Sequence, residues 1–183
     1  MEKATVFVML LTAAVIAGVA AAGCDDYDVP SMSPAAACQK ASTGPSMAKL
    51  CNDRLGAASS PEQEVTAFVL AAANAASASY GATGELLMAA SQDAAATKES
   101  RAAASTCVEK YGEAMDRVAA AVAHLNGCEL AELVVDVLPA VVAVDDCGTA
   151  LLSAGDQGSP LYGMVMADRD RSMLVLRLRQ PGN

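Results

Sequence analysis

The chain has 183 residues, a formal net charge of −9 and a sequence pI near 4.4. That balance disfavours nucleic acid and anionic membrane surfaces as partners, because phosphate contacts need clustered Lys and Arg. It contains no Trp, two Phe and four Tyr against 41 Ala, which excludes a sheet-built core, since alanine is the best helix former and a poor strand former. An all-α domain follows, with closely spaced helices packing Ala, Val, Leu and Met.

Residues 1–23 read as a cleaved signal peptide. Met1-Glu2-Lys3 supplies a short charged head, Val6 to Ala22 an apolar run, and Ala20-Ala21-Ala22-Gly23 a small-residue exit. The run sits at the lower edge of what spans a bilayer. A permanent anchor and a lipoprotein signal at Cys24 are the competing readings, although Ala21 stands where the latter favours a larger aliphatic. The expected product is secreted and extracellular, off the membrane after cleavage, and of single-domain size.

Residues 24–37 are polar and carry Pro30 and Pro34, which suggests a flexible lead-in. Residues 38–56 are bounded by Cys38 and Cys51 with Gly44-Pro45 at the middle, the pattern of an N-terminal helical hairpin. Ser60 then reads as an N-cap and Pro61 as the first turn of a helix whose stripe is Val65, Phe68, Val69, Ala72, Ala76 and Ser79. Gly81 and Gly84 are expected to break it, and a second helix to run from about Glu85 to Thr106.

From Cys107 the stripe sharpens: Tyr111, Ala114, Met115, Val118, Val122 and Leu125 recur at helical steps, and Asn126-Gly127 ends the helix. Leu130, Leu133, Val134, Val137, Leu138, Val141 and Val142 lead toward Cys147, with a kink or break predicted at Pro139. Gly155 to Gly158 is a loop, and Ser159-Pro160 opens a last helix to about Leu176. The alternating tail Leu174 to Arg179 stays helical in this reading, because a lone strand would find no partner. An antiparallel four-helix bundle over residues 57–180 is the economical architecture.

Six cysteines in an exported chain point to disulfides. Cys38 and Cys51 close the local hairpin. Cys107 begins one long helix and Cys147 ends the following element, so a helix out and a helix back bring them together. That loop constrains the unfolded chain by roughly 4 kcal/mol. Two disulfides result. Cys128, at the far turn, is then expected to be free, and Cys24 to be lost or to pair outside the chain, with a Cys24–Cys128 bond as the alternative.

No constellation points to catalysis. His124 is the single histidine and reads as a partly exposed helix residue. Asp145 and Asp146 are neighbours in sequence, and adjacent helical positions do not face each other. Asp168 and Arg171 suggest a modest surface ion pair. The chain is read as a non-enzyme, with no catalytic, cofactor-binding or metal residue assigned. Its Ala-rich core should leave little room for a ligand pocket.

The whole arrangement resembles the plant pectin methylesterase inhibitor and invertase inhibitor family. The likeness rests on the signal peptide, the Cys38–Cys51 hairpin, the Cys107-x-x-x-Tyr111-x-x-Ala114 segment, Asp145-Asp146-Cys147, and Ser159-Pro160-Leu161. It implies a secreted inhibitor domain that covers the substrate cleft of a cell-wall enzyme in the apoplast, most readily a pectin methylesterase. Exposed positions of the 107–125 helix (Glu109, Glu113 and Asp116) and of the Ala-rich 85–106 helix are the expected interface. An invertase (beta-fructofuranosidase) target is the alternative, and a non-inhibitory secreted bundle a third reading. Two departures matter. Met173-Leu174-Val175-Leu176 replaces the family's Asn-Ala-Leu-Ala-Leu type of ending. The turn Asn126-Gly127-Cys128-Glu129-Leu130 lacks the Pro-Lys-Phe of invertase inhibitors.

Overall fold

Alanine-rich stretches with a Val, Leu or Tyr every third or fourth residue build the four long helices. The computed structural model of the chain describes residues 24, 29–56 and 61–179. The expected signal peptide at 1–23 and the expected cap at Ser60 lie outside the described residues. The elements in order are β1 (Ser31–Met32), α1 (Pro34–Ala41), α2 (Pro45–Leu55), β2 (Gln63–Glu64), α3 (Val65–Ser91), α4 (Lys98–Asn126), α5 (Leu133–Ser153) and α6 (Pro160–Arg179). A short 3-10 turn, Asp156–Gly158, precedes α6. Helices α3 to α6 form an antiparallel four-helix bundle in which α3 and α5 each lie beside α4 and α6. The α1–α2 hairpin packs on α3 and α6.

The hairpin forms as the sequence indicates. Ser33 caps α1 by accepting from the Ala36 amide at 3.2 Å, and Pro34 and Pro45 occupy the first turns of α1 and α2, where a missing amide costs nothing. Cys38 and Cys51 are bonded and buried. The segment expected as a lead-in contains more structure than expected. Ser31–Met32 pairs antiparallel with Gln63–Glu64 in a two-residue ladder, and Val65 donates its amide to the Pro30 carbonyl at 3.1 Å.

Helix α3 runs through Gly81 and Gly84 without the expected break. Each glycine costs a helix about 1 kcal/mol. Burial of Tyr80, Thr83 and Leu87 around them offsets that cost, and a Cβ at either position would meet no neighbour. The interruption falls later, where Asp93 Oδ1 accepts from the Ala95 amide and Thr97 caps α4 by accepting from Ser100 N at 3.1 Å. Cys107 therefore lies within α4 rather than at its start. Helix α5 continues through Pro139, so of the kink or break expected there the break does not occur. The donor lost there would have served the Val135 carbonyl, and Val135 lies on the exposed side of the helix. On the opposite side of α5, Gly148 lets the Met166 methyl of α6 approach the helix backbone.

Three disulfides close the molecule, not two. Cys107–Cys147 and Cys38–Cys51 form as anticipated, but Cys128 is bonded to Cys24 across 104 residues. Antiparallel packing puts the start of α3 at the same end of the bundle as the α4–α5 turn. The β1–β2 ladder carries the N-terminal segment to that end, and the Cys24 amide is tied there to Glu64 at 3.1 Å. Cys128 is also the one described non-glycine residue with positive φ, at 58°. The amide of Glu129 reaches the His124 carbonyl at 2.8 Å and that of Cys128 reaches Leu125 at 3.2 Å, a Schellman closure with cysteine in the left-handed position. Gly127 keeps a negative φ of −89°.

Replacing Cys24 and Cys128 together by Ser is expected to lower unfolding free energy by about 2–4 kcal/mol while leaving helical circular dichroism intact. Cys24→Ser with Cys128→Gly should recover roughly 1 kcal/mol of that loss, because glycine removes the left-handed penalty. Denaturant unfolding of both double variants measures the two effects.

Candidate functional site

The apolar series of α5 is too wide for one buried face. Leu133, Val137, Val141 and Val144 enter the core, whereas Val135, Leu138 and Val142 remain 60%, 49% and 52% exposed. With exposed Pro139 they fall at steps of three and four and form a solvent-facing ridge. Met115 of α4, expected on the buried stripe, is also 40% exposed.

Beside the ridge, Glu113, Asp116, Arg117 and Ala120 of α4 line a groove with Pro139, about 340 Å3 in volume. The three acids expected at an interface are thus exposed on α4, and two of them, Glu113 and Asp116, line this groove; Glu109 lies one turn toward the N-terminus. Lys110 pairs with Glu113 at 3.1 Å and with Asp146 of α5 at 3.5 Å. The Glu113 hydrogen bond, followed by the nearby carboxylate charge, holds the Lys110 ammonium above its ordinary pKa. Asp145 pairs with Arg169 of α6 at 3.3 Å. Both members of the Asp145-Asp146 pair therefore hold neighbouring helices by exposed ion pairs.

Asp168 overturns its sequence reading. It is fully buried, and its carboxylate accepts from Ser79 Oγ of α3 at 2.5 Å, Tyr111 OH of α4 at 2.9 Å and Arg171 Nη1 at 2.7 Å. Ser172 donates to the Asp168 carbonyl at 2.9 Å and also hydrogen bonds Tyr80 OH. The rings of Tyr80 and Tyr111 meet edge to face with centroids 5.5 Å apart. Burial pushes the Tyr80 phenol up to about 12, and burial with the Asp168 charge behind it pushes Tyr111 up as well. A sequence signal existed, since Asp168 and Ser172 stand four apart on one face of α6, but the scarcity of apolar residues there suggested solvent. This network holds the bundle together and offers no open site for chemistry.

His124 is part-exposed, as expected, but it does not stand alone. Its Nδ1 lies 2.6 Å from Asp136 Oδ2 and its Nε2 3.5 Å from Glu129 Oε2, linking the end of α4 to the start of α5. Among the described residues no group of three His, Cys, Asp or Glu side chains could hold a metal ion. Leu86 and Met88 of α3 are also exposed, but the α5 ridge with its acidic α4 border joins three such aliphatics to a groove, a surface suited to contact with another macromolecule.

No protein-family model matches this chain, and no curated protein matches it. Among solved structures it is similar to a mutant form, form A, of a pectin methylesterase inhibitor from Arabidopsis. The TM-score is 0.66 at 19% sequence identity, over 78% of this chain and 91% of that one. The bundle with its N-terminal hairpin therefore shares the fold of that protein.

Asp168→Ala should cost about 3–5 kcal/mol, since it leaves Arg171 and two hydroxyl donors without their partner. Tyr111→Phe should cost about 1–3 kcal/mol. Both raised phenols keep their protons in the folded state above the ordinary value of 10.0, where the unfolded chain has lost them. Stability from this source is full below that value and falls as pH rises through about 12. Urea unfolding in steps across the alkaline range, read with phenolate absorbance, should show that fall, and Tyr111→Phe should flatten it.

Proposed function

We propose that the chain is a secreted, apoplastic protein inhibitor of a pectin methylesterase, which lays its α4–α5 face over the substrate cleft and excludes the polymer sterically. The observation that carries this reading is the exposed Val135–Leu138–Val142 ridge. Keeping three large aliphatics about half in water forgoes roughly 1 kcal/mol of burial each, a loss that a partner surface would recover. The fold likeness supports the reading, because the similar Arabidopsis protein is by its name an inhibitor of that enzyme class. Three disulfides suit an oxidising compartment outside the cell.

Apolar residues at the centre and charges at the edge match the usual anatomy of a protein interface. Val135, Leu138 and Val142 provide the anchor, and Glu109, Glu113 and Asp116 a border that selects a partner with basic residues around its cleft. Such a border makes association sensitive to salt. An invertase target is disfavoured by the missing Pro-Lys-Phe turn.

Leu138→Asp and Val142→Asp should each weaken inhibition about tenfold or more, with unfolding free energy within about 0.5 kcal/mol of the unmodified protein, since both sites are exposed. Glu113→Lys with Asp116→Lys should weaken it less and reduce its salt dependence. Pectin methylesterase activity titrated with purified protein measures these effects. Full activity at micromolar protein throughout the acidic-to-neutral range overturns the reading, and inhibition of sucrose hydrolysis instead would transfer it to invertase.

A further inference from the structure

The end of the bundle that receives the N-terminal strand is not filled. A cavity of about 220 Å3 opens there, where α3 and α5 begin and α4 and α6 end. Its wall comes from Val65, Val69, Leu125, Leu130 and Leu133, and Arg179 is the one ionisable side chain among the described lining residues. Val65, Val69, Leu125 and Leu133 are buried, whereas Leu130 and Arg179 are half-buried and mark the mouth. The expectation that an Ala-rich core leaves little room for a ligand pocket fails here for a physical reason. Alanine packs the middle of the bundle tightly, but at this end branched side chains meet loops and no described aromatic ring fills the gap.

An apolar cavity of about 150 Å3 stays dry and admits benzene. This one is larger, with room for a single ring or a short alkyl chain and a small polar arm, and it lies below the roughly 300–1,000 Å3 of drug-sized pockets. Arg179 supplies the polar end. Its Nε donates to the Leu130 carbonyl at 3.2 Å, which fixes the guanidinium at the mouth, and among the described residues its terminal amino groups have no hydrogen-bond partner. Guanidinium groups favour carboxylates, which accept two parallel hydrogen bonds.

We propose that this cavity is a binding site for a small apolar carboxylic acid, its body among the valines and leucines and its carboxylate on Arg179. The site uses none of the ridge residues and stands whether or not the chain inhibits an enzyme. Phenylacetate is a suitable probe, with 2-phenylethanol as its uncharged counterpart. Calorimetric titration of the full chain should give a Kd on the order of 0.1 mM for the acid, the affinity reached by ligands of about ten non-hydrogen atoms. The alcohol should bind at least tenfold more weakly. Methyl NMR shifts should concentrate at Val65, Val69, Leu125 and Leu133. Arg179→Gln should bring the acid down to the affinity of the alcohol and leave the alcohol unchanged. Equal affinity for acid and alcohol in the unmodified protein, or no methyl shift with either probe, overturns the proposal without any variant being needed.

Discussion

A single buried carboxylate sets the register of the bundle. Asp168 on α6 is out of contact with water and can remain there only if its charge is met by donors. Ser79 comes from α3, Tyr111 from α4 and Arg171 from its own helix, so one group fixes three of the four helices against sliding. An apolar core of alanine and valine would tolerate several registers, because small side chains offer few knobs that fit only one hole. The carboxylate removes that freedom, since a shift of one turn would leave it unpaired.

The fourth helix is held by a different bond. Helix α5 does not reach Asp168; it is tied to α4 by Cys107–Cys147, one turn before Tyr111 on α4. Covalent and polar ties thus act at neighbouring levels of the same helix. The N-terminal elements are secured separately, by Cys38–Cys51 within the hairpin and by Cys24–Cys128 between the N-terminal segment and the α4–α5 turn. A core with so little aromatic area gains less from burial than one built on Phe and Trp, and such cross-links compensate by restricting the unfolded chain.

This internal order frees the outside of α5. Because register is set elsewhere, Val135, Leu138 and Val142 are not needed for packing, and they form an apolar ridge next to the acidic side of α4. The same division explains the cavity. The Asp168 network lies within the bundle, whereas its end, where loops take over, is walled by valines and leucines that leave a gap between them.

Much of this was legible in the chain. Alanine excess and the absence of Trp selected helices, the stripes from Val65 and from Tyr111 identified their buried faces, and the 40-residue spacing joined Cys107 to Cys147. These are local or composition-level properties, which neighbouring residues settle. Local signals misled at Gly81 and Gly84, which lie inside a continuous helix because burial around them covers the backbone cost, and of the kink or break expected at Pro139 the break does not occur. The Cys24–Cys128 bond, the burial of Asp168 and the outward turn of Leu138 and Val142 depend on which helix ends meet and which faces find neighbours. Periodicity shows that a residue belongs to a face; only the placement of the other helices decides whether that face meets protein or water.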